Sequence, residues 1–449
     1  MQDAPRISIR EKIGYGLGDT ASNLYFQMFV NFLLFFYTDV FGIPAAAAGT
    51  MLMLSRFWDA VNDPLMGIIA DRTNTRWGKF RPYLVWVSIP MAVIGMATFY
   101  TPDLSVQGKI IYAYITYTLM MMAYTAINIP YSALMGVLSP DTQERTSVST
   151  YRFVLAYGGA FVVQGLTLPL VRAFGRGDQA AGFPLAMGLF GLVAAGLFLV
   201  TFLTTNERVQ PPAGQQMSLR SDLRDLANNR PWLVLLVMSI ASLAYLIIRT
   251  GTIMYYFKYY VGSEGQAALF MTTGTAALIV GVACTQWLSR RFGKKRLYLV
   301  VMALCSVLTA AFYLVPRDQV VLMFVLNATT MLVMAPQAPL IWAMYADTAD
   351  YSQWKNQRRA TGLVFSAATF AQKFGFALGS GAAGWLLAGF GFVANADQSP
   401  ETLRGIRMMM SVIPGVAAAI AAATAMAYSL DDRVMQEIAR DLKARAGAD

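Results

Sequence analysis

The sequence has 449 residues, of which 56% are hydrophobic and only 13% are charged, whereas soluble domains carry about 25% charged residues. Together with a mean hydropathy of +0.48, this composition excludes a soluble globular fold and predicts an all-α polytopic membrane protein. The net charge of +10 does not indicate a nucleic-acid partner, because most Lys and Arg side chains fall in the tails and in alternate loops between apolar segments.

Twelve apolar segments are long enough to cross the roughly 30 Å of bilayer hydrocarbon as helices. They divide six and six around a polar stretch, which predicts an N-terminal half over 1–205, a cytoplasmic linker over 206–230, a C-terminal half over 231–430 and a cytoplasmic tail over 431–449. The predicted spans are 13–38, 44–70, 81–101, 109–136, 147–171, 184–205, 231–260, 265–289, 297–316, 319–346, 360–390 and 405–429.

The distribution of basic residues also predicts the orientation. Lys and Arg concentrate in the N-terminal tail, the even-numbered loops and the C-terminal tail, so the positive-inside rule places both termini in the cytoplasm. The charged N-terminal tail runs directly into a full-length span, and no cleavable signal peptide is evident. Cys284 and Cys305 lie in apolar spans without Cys-x-x-Cys spacing, which is typical of small core residues.

Span II carries charges at the depth of the hydrocarbon. Arg56, Asp59, Asn62 and Asp63 fall within its middle turns, and the spacing places Asp59, Asn62 and Asp63 on one helix face. Each charge at this depth costs about 2.5–3.5 kcal/mol on insertion scales, so each needs a cavity, a partner or an ion. The cluster predicts a site for a coupling cation. Alternatively, Asp59 pairs with Arg56 and Asp63 pairs with a neighbouring helix.

Polar side chains recur at helical spacing in three further spans, and jointly they predict a polar cavity. Amides, hydroxyls and aromatic rings in such a cavity suit a sugar, although small polar residues also hold membrane helices together. They are Asp19, Asn23, Gln27 and Asn31 in span I, Tyr124 and Asn128 in span IV, and Ser366, Thr369 and Lys373 in span XI.

Two short basic loops occupy equivalent positions in the two halves. The loop after span II contains Gly67, Asp71, Arg72 and Arg76, and the loop after span VIII has a degraded version from Gly281 to Arg296. The first resembles the Gly-x-x-x-Asp-Arg-x-x-x-Arg signature of the major facilitator superfamily. In that superfamily this loop connects neighbouring helices in one access state and releases them in the other, so the resemblance implies a gating loop.

Further strings resemble one family of that superfamily, the melibiose permease-like glycoside–pentoside–hexuronide:cation symporters. The resemblance covers roughly residues 11–430 and implies the major facilitator fold of two six-helix halves in a bacterial inner membrane. The matching strings are Lys12 to Gly18, Phe36 to Val40, Arg56 to Pro64, Arg76 to Pro82, Tyr124-Thr125, Ile129-Pro130, Tyr151 to Phe153, Tyr255 to Phe257, and Ala346-Asp347 with Asp350-Tyr351.

The resemblance also implies a cation site. In melibiose permease two aspartates and an asparagine of helix II and a threonine of helix IV hold the cation, and these positions match Asp59, Asn62, Asp63 and Thr125 without substitution. Hard alkali cations prefer such oxygen ligands, so sodium is the expected ion, with Asp59 and Asp63 as its charged ligands. Because the chain has no histidine, coupling to protons would use the same carboxylates. No other cofactor is expected.

The sugar-binding positions of the family match less well. Tyr124, Arg152 and Lys373 persist, while Asn23 and Asn128 stand where the family has aspartates, which makes melibiose an unexpected substrate. Arg249, in the middle of span VII, has no counterpart in melibiose permease and adds a third candidate cation. Loss of the acids would make a uronic acid or glucuronide tolerable, and neutral pentosides or xylosides remain equally open.

The resulting prediction is a monomeric secondary active transporter that couples a glycoside, pentoside or hexuronide to a cation by alternating access. Alternatives on the same fold are proton-coupled transport, uncoupled transport and a lysolipid carrier, with membrane lipid as the surrounding partner in each case. An enzyme is not expected, because the chain has no His-Glu-x-x-His, Gly-x-Ser-x-Gly or Walker motif.

Overall fold

The computed structural model describes residues 7–139, 142–208, 229–356 and 361–446. Most of the predicted linker, residues 209–228, and the side chain of Ser366 lie outside the described part. The described residues form helices, together with a single isolated β-bridge between Thr75 and Gly78. The all-helical prediction is therefore confirmed for the residues that the structure describes.

In the part of the chain that the structure describes, seven α-helices precede the linker. The first continues beyond its α-helical part as two π-helical segments, Phe29–Leu33 and Phe36–Val40, so the whole element extends beyond predicted span I. The α-helices are α1 Ile9–Met28, α2 Ala45–Arg72, α3 Arg81–Trp86, α4 Ser88–Thr98, α5 Val106–Leu138, α6 Thr142–Gly175 and α7 Gln179–Thr204.

Nine further α-helices follow the linker in the described part of the chain. A π-helical segment, Tyr256–Val261, continues the first of them, and a 3₁₀ turn, Phe312–Leu314, continues the third. They are α8 Arg230–Tyr255, α9 Gln266–Phe292, α10 Lys294–Ala311, α11 Val320–Met334, α12 Gln337–Asn356, α13 Thr361–Gly389, α14 Pro400–Met410, α15 Val412–Met426 and α16 Asp432–Ala446.

Among the described residues, eight helical segments are long and apolar enough to cross a membrane. Twelve spans remain a prediction. Helix α2 shows why the two numbers differ, since its 28 residues exceed the required length but its polar middle turns lower its hydropathy. Arg56, Asp59 and Asp63 lower the mean hydropathy of α2, so a search by hydropathy does not identify this helix as a membrane span.

The chain divides into two compact units. Unit 1 comprises Met1–Ala213 with two later segments, Ser263–Thr272 and Leu387–Gln398, and unit 2 comprises the remainder. The domain boundaries given above remain a prediction. In unit 1, α1 packs along α6 and α7, and α2 packs along α5. Gly16 permits the close approach of α1 to α6, because a Cβ there would lie 2.6 Å from Cδ1 of Leu155.

Unit 2 packs around α8, α10 and α15. Its core is apolar and aromatic, and Tyr298, Met302 and Cys305 of α10 are fully buried within it. Helix α13 approaches α8 through small residues, since a Cβ at Gly379 would lie 2.7 Å from the Cβ of Ile247. Small residues at helix contacts are the usual means of packing helices in membranes, where lipid is as apolar as leucine.

Candidate functional site

Helix α2 places the predicted cation ligands in the interior of unit 1. Asp59 is only 3% exposed, and its Oδ2 lies 3.5 Å from Nη1 of Arg56 on the preceding turn. Asn62 and Asp63 are half-buried one turn further along. The arginine therefore compensates part of the charge that α2 carries at this depth, as the alternative reading of the sequence expected for Asp59.

Helix α5 contributes the fourth predicted ligand. Thr125 is 5% exposed, and its hydroxyl donates a hydrogen bond to Oδ1 of Asp63 across 3.0 Å. The bond joins α2 to α5, two helices that pack along each other. Carboxylate, amide and hydroxyl oxygens are the donors that a hard monovalent cation accepts. In the described part of the chain, no group of three or more His, Cys, Asp and Glu side chains is placed to hold a metal ion.

A second buried ion pair connects α1 to α6. Nε of Arg152 donates to Oδ2 of Asp19 at 2.8 Å, and the two side chains are 22% and 11% exposed. The guanidinium also lies 5.4 Å from the ring centre of Tyr131, which stacks on Tyr15 at 4.6 Å between ring centres. The sequence alone did not identify a partner for Asp19, and the structure pairs it with Arg152.

Three predicted substrate residues of unit 1 present unused hydrogen-bonding groups. The side-chain amides of Asn23 and Asn128 donate to the carbonyl oxygens of Asp19 and Tyr124, one turn earlier, at 3.0 Å each. Their side-chain oxygens and the hydroxyl of Tyr124 have no hydrogen-bond partner among the residues that the structure describes. All three side chains are half-buried. Each therefore retains the capacity to bind a polar ligand.

The phenol of Tyr124 lies within electrostatic range of both ion pairs. It interacts electrostatically with Asp19 and Arg152, and also with Arg56 and Asp59. Its neighbour in sequence is Thr125, which contacts Asp63. The predicted cation ligands and the predicted sugar-binding residues of unit 1 therefore lie within electrostatic reach of each other.

The two remaining candidates lie in unit 2. Arg249 is 1% exposed, and its Nη2 donates to Oδ1 of Asn327 at 2.9 Å. Its guanidinium lies 5.3 Å from the ring centre of Phe312. Lys373 is half-buried on α13. The depth of Arg249 and its bond to Asn327 favour a role in packing unit 2 over a direct contact with substrate.

The structure corrects the position of the predicted gating loop, because Gly67, Asp71 and Arg72 lie in the last turns of α2 and only Arg76 lies in the loop that follows. Asp71, Arg72 and Arg76 are exposed, and the Arg76 guanidinium lies 4.9 Å from the ring centre of Trp77. A Cβ at Gly67 would meet no atom within 4 Å. Gly78 differs, because its φ is +105° and a Cβ there would overlap the carboxylate of Glu207.

Glu207 is a residue that the sequence analysis missed. Its two carboxylate oxygens accept hydrogen bonds from the backbone amides of Lys79, Phe80 and Arg81 at 2.8–3.0 Å. These amides open helix α3, where the helix dipole also favours an anion. A run of charges directly after an apolar span, Asn206 to Arg208, was the available signal.

The segment around Glu207 is also fixed to the start of α1. The neighbouring residue Arg208 donates to both oxygens of Glu11 at 2.7 and 2.8 Å, and these bonds raise the pKa of Arg208 above its ordinary value. The end of α7 is therefore tied both to the gating loop and to α1 within unit 1.

Long apolar helices that carry largely buried ion pairs are typical of a multi-pass membrane transporter. The chain belongs to the MFS/sugar transport protein family, whose model matches residues 14–432. The resemblance to glycoside–pentoside–hexuronide:cation symporters is thereby confirmed, and the protein is a sugar transporter of the major facilitator type and not an enzyme.

Known relatives agree with this assignment. The chain is 37% identical to a putative glycoside/cation symporter, YagG, of Escherichia coli, over 97% of this chain and 95% of the relative. It is 34% identical to an isoprimeverose transporter of Lactiplantibacillus pentosus, over 94% and 88% of the two chains. A crystal structure of an inward-facing bacterial homologue of the lysosomal transporter Spinster superposes with a TM-score of 0.70 at 15% identity, covering 96% of this chain and 97% of that one, and supports the fold.

Proposed function

We propose that this protein is a sodium-coupled symporter that moves a glycoside by alternating access. The observation that carries the proposal is the contact between Thr125 and Asp63, which assembles oxygen ligands from two helices. The relative named as a glycoside/cation symporter supports coupling to a cation. In this proposal Asp59, Asn62, Asp63 and Thr125 bind the ion, and Asp59 and Asp63 supply its charge compensation.

Coupling follows from the position of Tyr124. A cation bound at Asp59 and Asp63 changes the charge that Tyr124 experiences, since Tyr124 interacts with Asp59 as well as with Asp19 and Arg152. The cation thereby orders the groups that bind the sugar, and by reciprocity the sugar raises the affinity for the cation. The doubly loaded or empty carrier then changes its access state more readily than the singly loaded one.

The proposed sugar site in unit 1 consists of Asn23, Tyr124, Asn128 and Arg152. Lys373, in unit 2, stays a separate substrate-binding candidate on the basis of family resemblance. The unused oxygens of the two amides and the Tyr124 hydroxyl bind sugar hydroxyls. The bond to Asp19 neutralises Arg152, so the site has no free positive charge from this residue. We therefore place neutral pentosides or xylosides ahead of glucuronides, and we assign Arg249 to packing.

The gating loop of Gly67, Asp71, Arg72 and Arg76 is proposed to form contacts in another access state. In the present state it is attached through Glu207 to the end of α7. We further propose that the protein functions as a monomer in a bacterial inner membrane, with both termini in the cytoplasm, since basic residues concentrate in the tails.

Uptake into proteoliposomes tests the proposal. A panel of labelled xylosides and glucuronides is offered under an inward sodium gradient, under an inward proton gradient, and under neither. Sodium-driven accumulation of a xyloside is the expected result. Accumulation driven only by the proton gradient would mean that the coupling ion is a proton and not sodium. The same carboxylates would then carry it. Equilibration without accumulation would establish an uncoupled carrier and overturn symport.

A matched pair of variants ties the result to the site. Thr125→Val should weaken the sodium dependence, whereas Thr116→Val, a buried threonine on the same helix that bonds to the carbonyl of Tyr112, should not. Competition by lysophospholipids that exceeds competition by glycosides would identify a lysolipid carrier. Equal effects of the two threonine variants on the sodium dependence would show that Thr125 is not a cation ligand.

A further inference from the structure

Unit 2 has an apolar groove of about 550 Å³ on its surface, between α9, α10 and the end of α11. Trp287, Val300, Leu304 and Leu332 line it and are 65%, 44%, 47% and 42% exposed. Such exposure of large apolar side chains is expected only where the surroundings are lipid or another apolar partner. The groove therefore suits an apolar occupant.

A basic cluster lies at one end of this groove. Arg296 lines both the groove and an adjoining pocket of about 300 Å³ that Lys295 and the carboxylates of Asp431 and Asp432 also line. From Arg296 the helix continues to Leu304 along the groove, a distance of about 12 Å at the rise of an α-helix. The charge is therefore at the end of the groove next to the α9–α10 turn, and the other end is apolar.

The basic charge at this end exceeds the acidic charge. Arg290, Arg291 and Arg296 are exposed, and none of them makes an ion pair or hydrogen bond with a described residue. Lys295 donates to the carbonyl oxygen of Met426 at 3.2 Å, which leaves its charge uncompensated. Lys295 and Arg296 line the pocket together with Asp431 and Asp432, and Arg290 and Arg291, in the last turn of α9, add positive charge that no described carboxylate pairs with.

We propose that this groove binds one anionic phospholipid of the membrane, with an acyl chain along Val300 and Leu304 and the phosphate at Arg296. The occupant must be apolar over two helical turns and negatively charged at one end, and an anionic phospholipid combines both properties. Basic pockets at the ends of membrane helices recognise such head groups, and an arginine can extend its charge to the interface while its methylene groups cover apolar surface.

A groove in unit 1 provides an internal comparison. It has a volume of about 420 Å³ between α4 and α7, and all of its lining residues are apolar, among them Val93, Phe174 and Leu192. No charged side chain lines it, so it can accept an acyl chain of any lipid without preference for the head group. Of these two grooves, only the one in unit 2 is therefore expected to select an anionic lipid.

Two lipids that differ only in head group test the proposal. Delipidated full-length protein is titrated with dioleoylphosphatidylglycerol or dioleoylphosphatidylcholine, and bound lipid is counted by native mass spectrometry. Wild type should retain phosphatidylglycerol preferentially. Arg296→Gln should weaken that binding by about fivefold, the factor expected for one basic side chain near an anionic lipid. Arg317→Gln removes an exposed charge beyond the far end of α10 and should leave the binding unchanged.

Cys284 supplies a second readout that does not depend on Arg296. It is exposed and lines the groove, whereas Cys305 is buried, so maleimide should label Cys284 alone in the folded protein. Phosphatidylglycerol should slow this labelling in wild type. Val300→Trp fills the groove and should abolish the lipid dependence of labelling.

Any one of the following results of the lipid experiments would overturn the proposal. They are equal retention of the two lipids, equal effects of Arg296→Gln and Arg317→Gln, and labelling of Cys284 that is insensitive to lipid. A dimer mass that disappears in Val300→Trp would assign the groove to a second copy of the chain and likewise overturn it. If Val300→Trp fails to fold, the head-group preference and the two arginine variants still decide.

Discussion

The hydroxyl of Thr125 on α5 lies 3.0 Å from Oδ1 of Asp63 on α2 and donates a hydrogen bond to it. A hydrogen bond to a charged carboxylate contributes about 1.5–3 kcal/mol, and it orients the carboxylate for a further ligand. The contact therefore fixes one half of the proposed cation site, and it makes Thr125 the most direct residue with which to test that site.

Thr125→Val should raise the sodium concentration that half-saturates sugar uptake by about tenfold, because valine removes an oxygen ligand and the bond to Asp63. Thr125→Ser keeps the hydroxyl and should remain close to wild type. Sodium titrations of uptake at fixed sugar concentration measure both. An unchanged half-saturating concentration in Thr125→Val would show that the threonine is not a ligand.

The ion pair between Asp19 and Arg152 makes a different prediction. Asp19→Asn leaves a mostly buried guanidinium uncompensated, so unfolding should become easier by about 3–5 kcal/mol. The double variant Asp19→Asn with Arg152→Gln removes both charges and should recover most of that stability. Thermal unfolding in detergent, followed by intrinsic fluorescence, gives the comparison.

Transport by the same double variant separates a structural pair from a binding pair. If Arg152 binds the sugar, the stable double variant should still lose sugar binding. If it recovers both stability and uptake, the pair is structural and Arg152 leaves the proposed sugar site. Conversion of Arg152→Lys adds a control, since lysine keeps the charge but lacks the planar geometry of guanidinium.

The positions of most helices could be predicted from hydropathy alone. Predicted span 109–136 corresponds to α5, Val106–Leu138, and predicted span 184–205 ends within a residue of α7. Long apolar stretches bounded by polar residues leave little freedom for the backbone in lipid, because every amide must be bonded within the helix. This constraint explains why the ends of such helices can be predicted from the sequence.

Interruptions within the spans could not be predicted with the same success. Predicted span 405–429 is broken at Ser411, where the backbone has φ −128° and ψ −82°, four residues after Arg407 and three before Pro414. Predicted span 81–101 is likewise divided at Val87, three residues before Pro90. A proline removes a backbone donor to the preceding turn. Yet Pro130 lies within the unbroken helix α5, so tertiary contacts decide which prolines interrupt a helix.

Part of the candidate site could likewise be predicted from the sequence, and part could not. Spacing along α2 was sufficient to place Asp59, Asn62 and Asp63 together, because neighbours on one helix face are fixed by helical geometry. The partner of Asp19 was not predictable, since Arg152 is 133 residues away in sequence. Which cation reaches a given carboxylate depends on how the helices pack, and the sequence offered several.

Two glycines of the gating region make opposite predictions. Gly78→Ala should destabilise the protein by about 1–3 kcal/mol, because φ is +105° there and the new Cβ would overlap Glu207. Gly67→Ala meets open space within α2 and should leave stability unchanged or slightly higher, since alanine favours helix. Thermal unfolding of both variants checks the contrast.

Transport by Gly67→Ala then tests the gating role. A variant that is stable but inactive would show that α2 approaches a neighbour at Gly67 in another access state. Full transport activity of Gly67→Ala would show that Gly67 has no role in gating. Gly136→Ala is a suitable control, because it also lies in a helix of unit 1 with no atom within 4 Å of the added Cβ.

Arg249 and Asn327 give the last prediction. Asn327→Ala leaves the buried guanidinium without its acceptor, so stability should fall by more than the 1–3 kcal/mol typical of a neutral group. Arg249→Met replaces the charge with an apolar chain of similar length and should cost little or stabilise. Gly274→Ala should also lower the stability, but by less than Asn327→Ala, because its Cβ would lie 2.7 Å from Nδ2 of Asn327.

Uptake decides between packing and substrate binding for Arg249. If the residue only packs unit 2, Arg249→Met should transport xylosides and glucuronides in the same ratio as wild type. Selective loss of glucuronide uptake in a stable Arg249→Met protein would show that the guanidinium meets a substrate carboxylate. Gly251→Ala, whose added Cβ makes only an ordinary contact at 3.9 Å with Ala383, controls for general disturbance of α8.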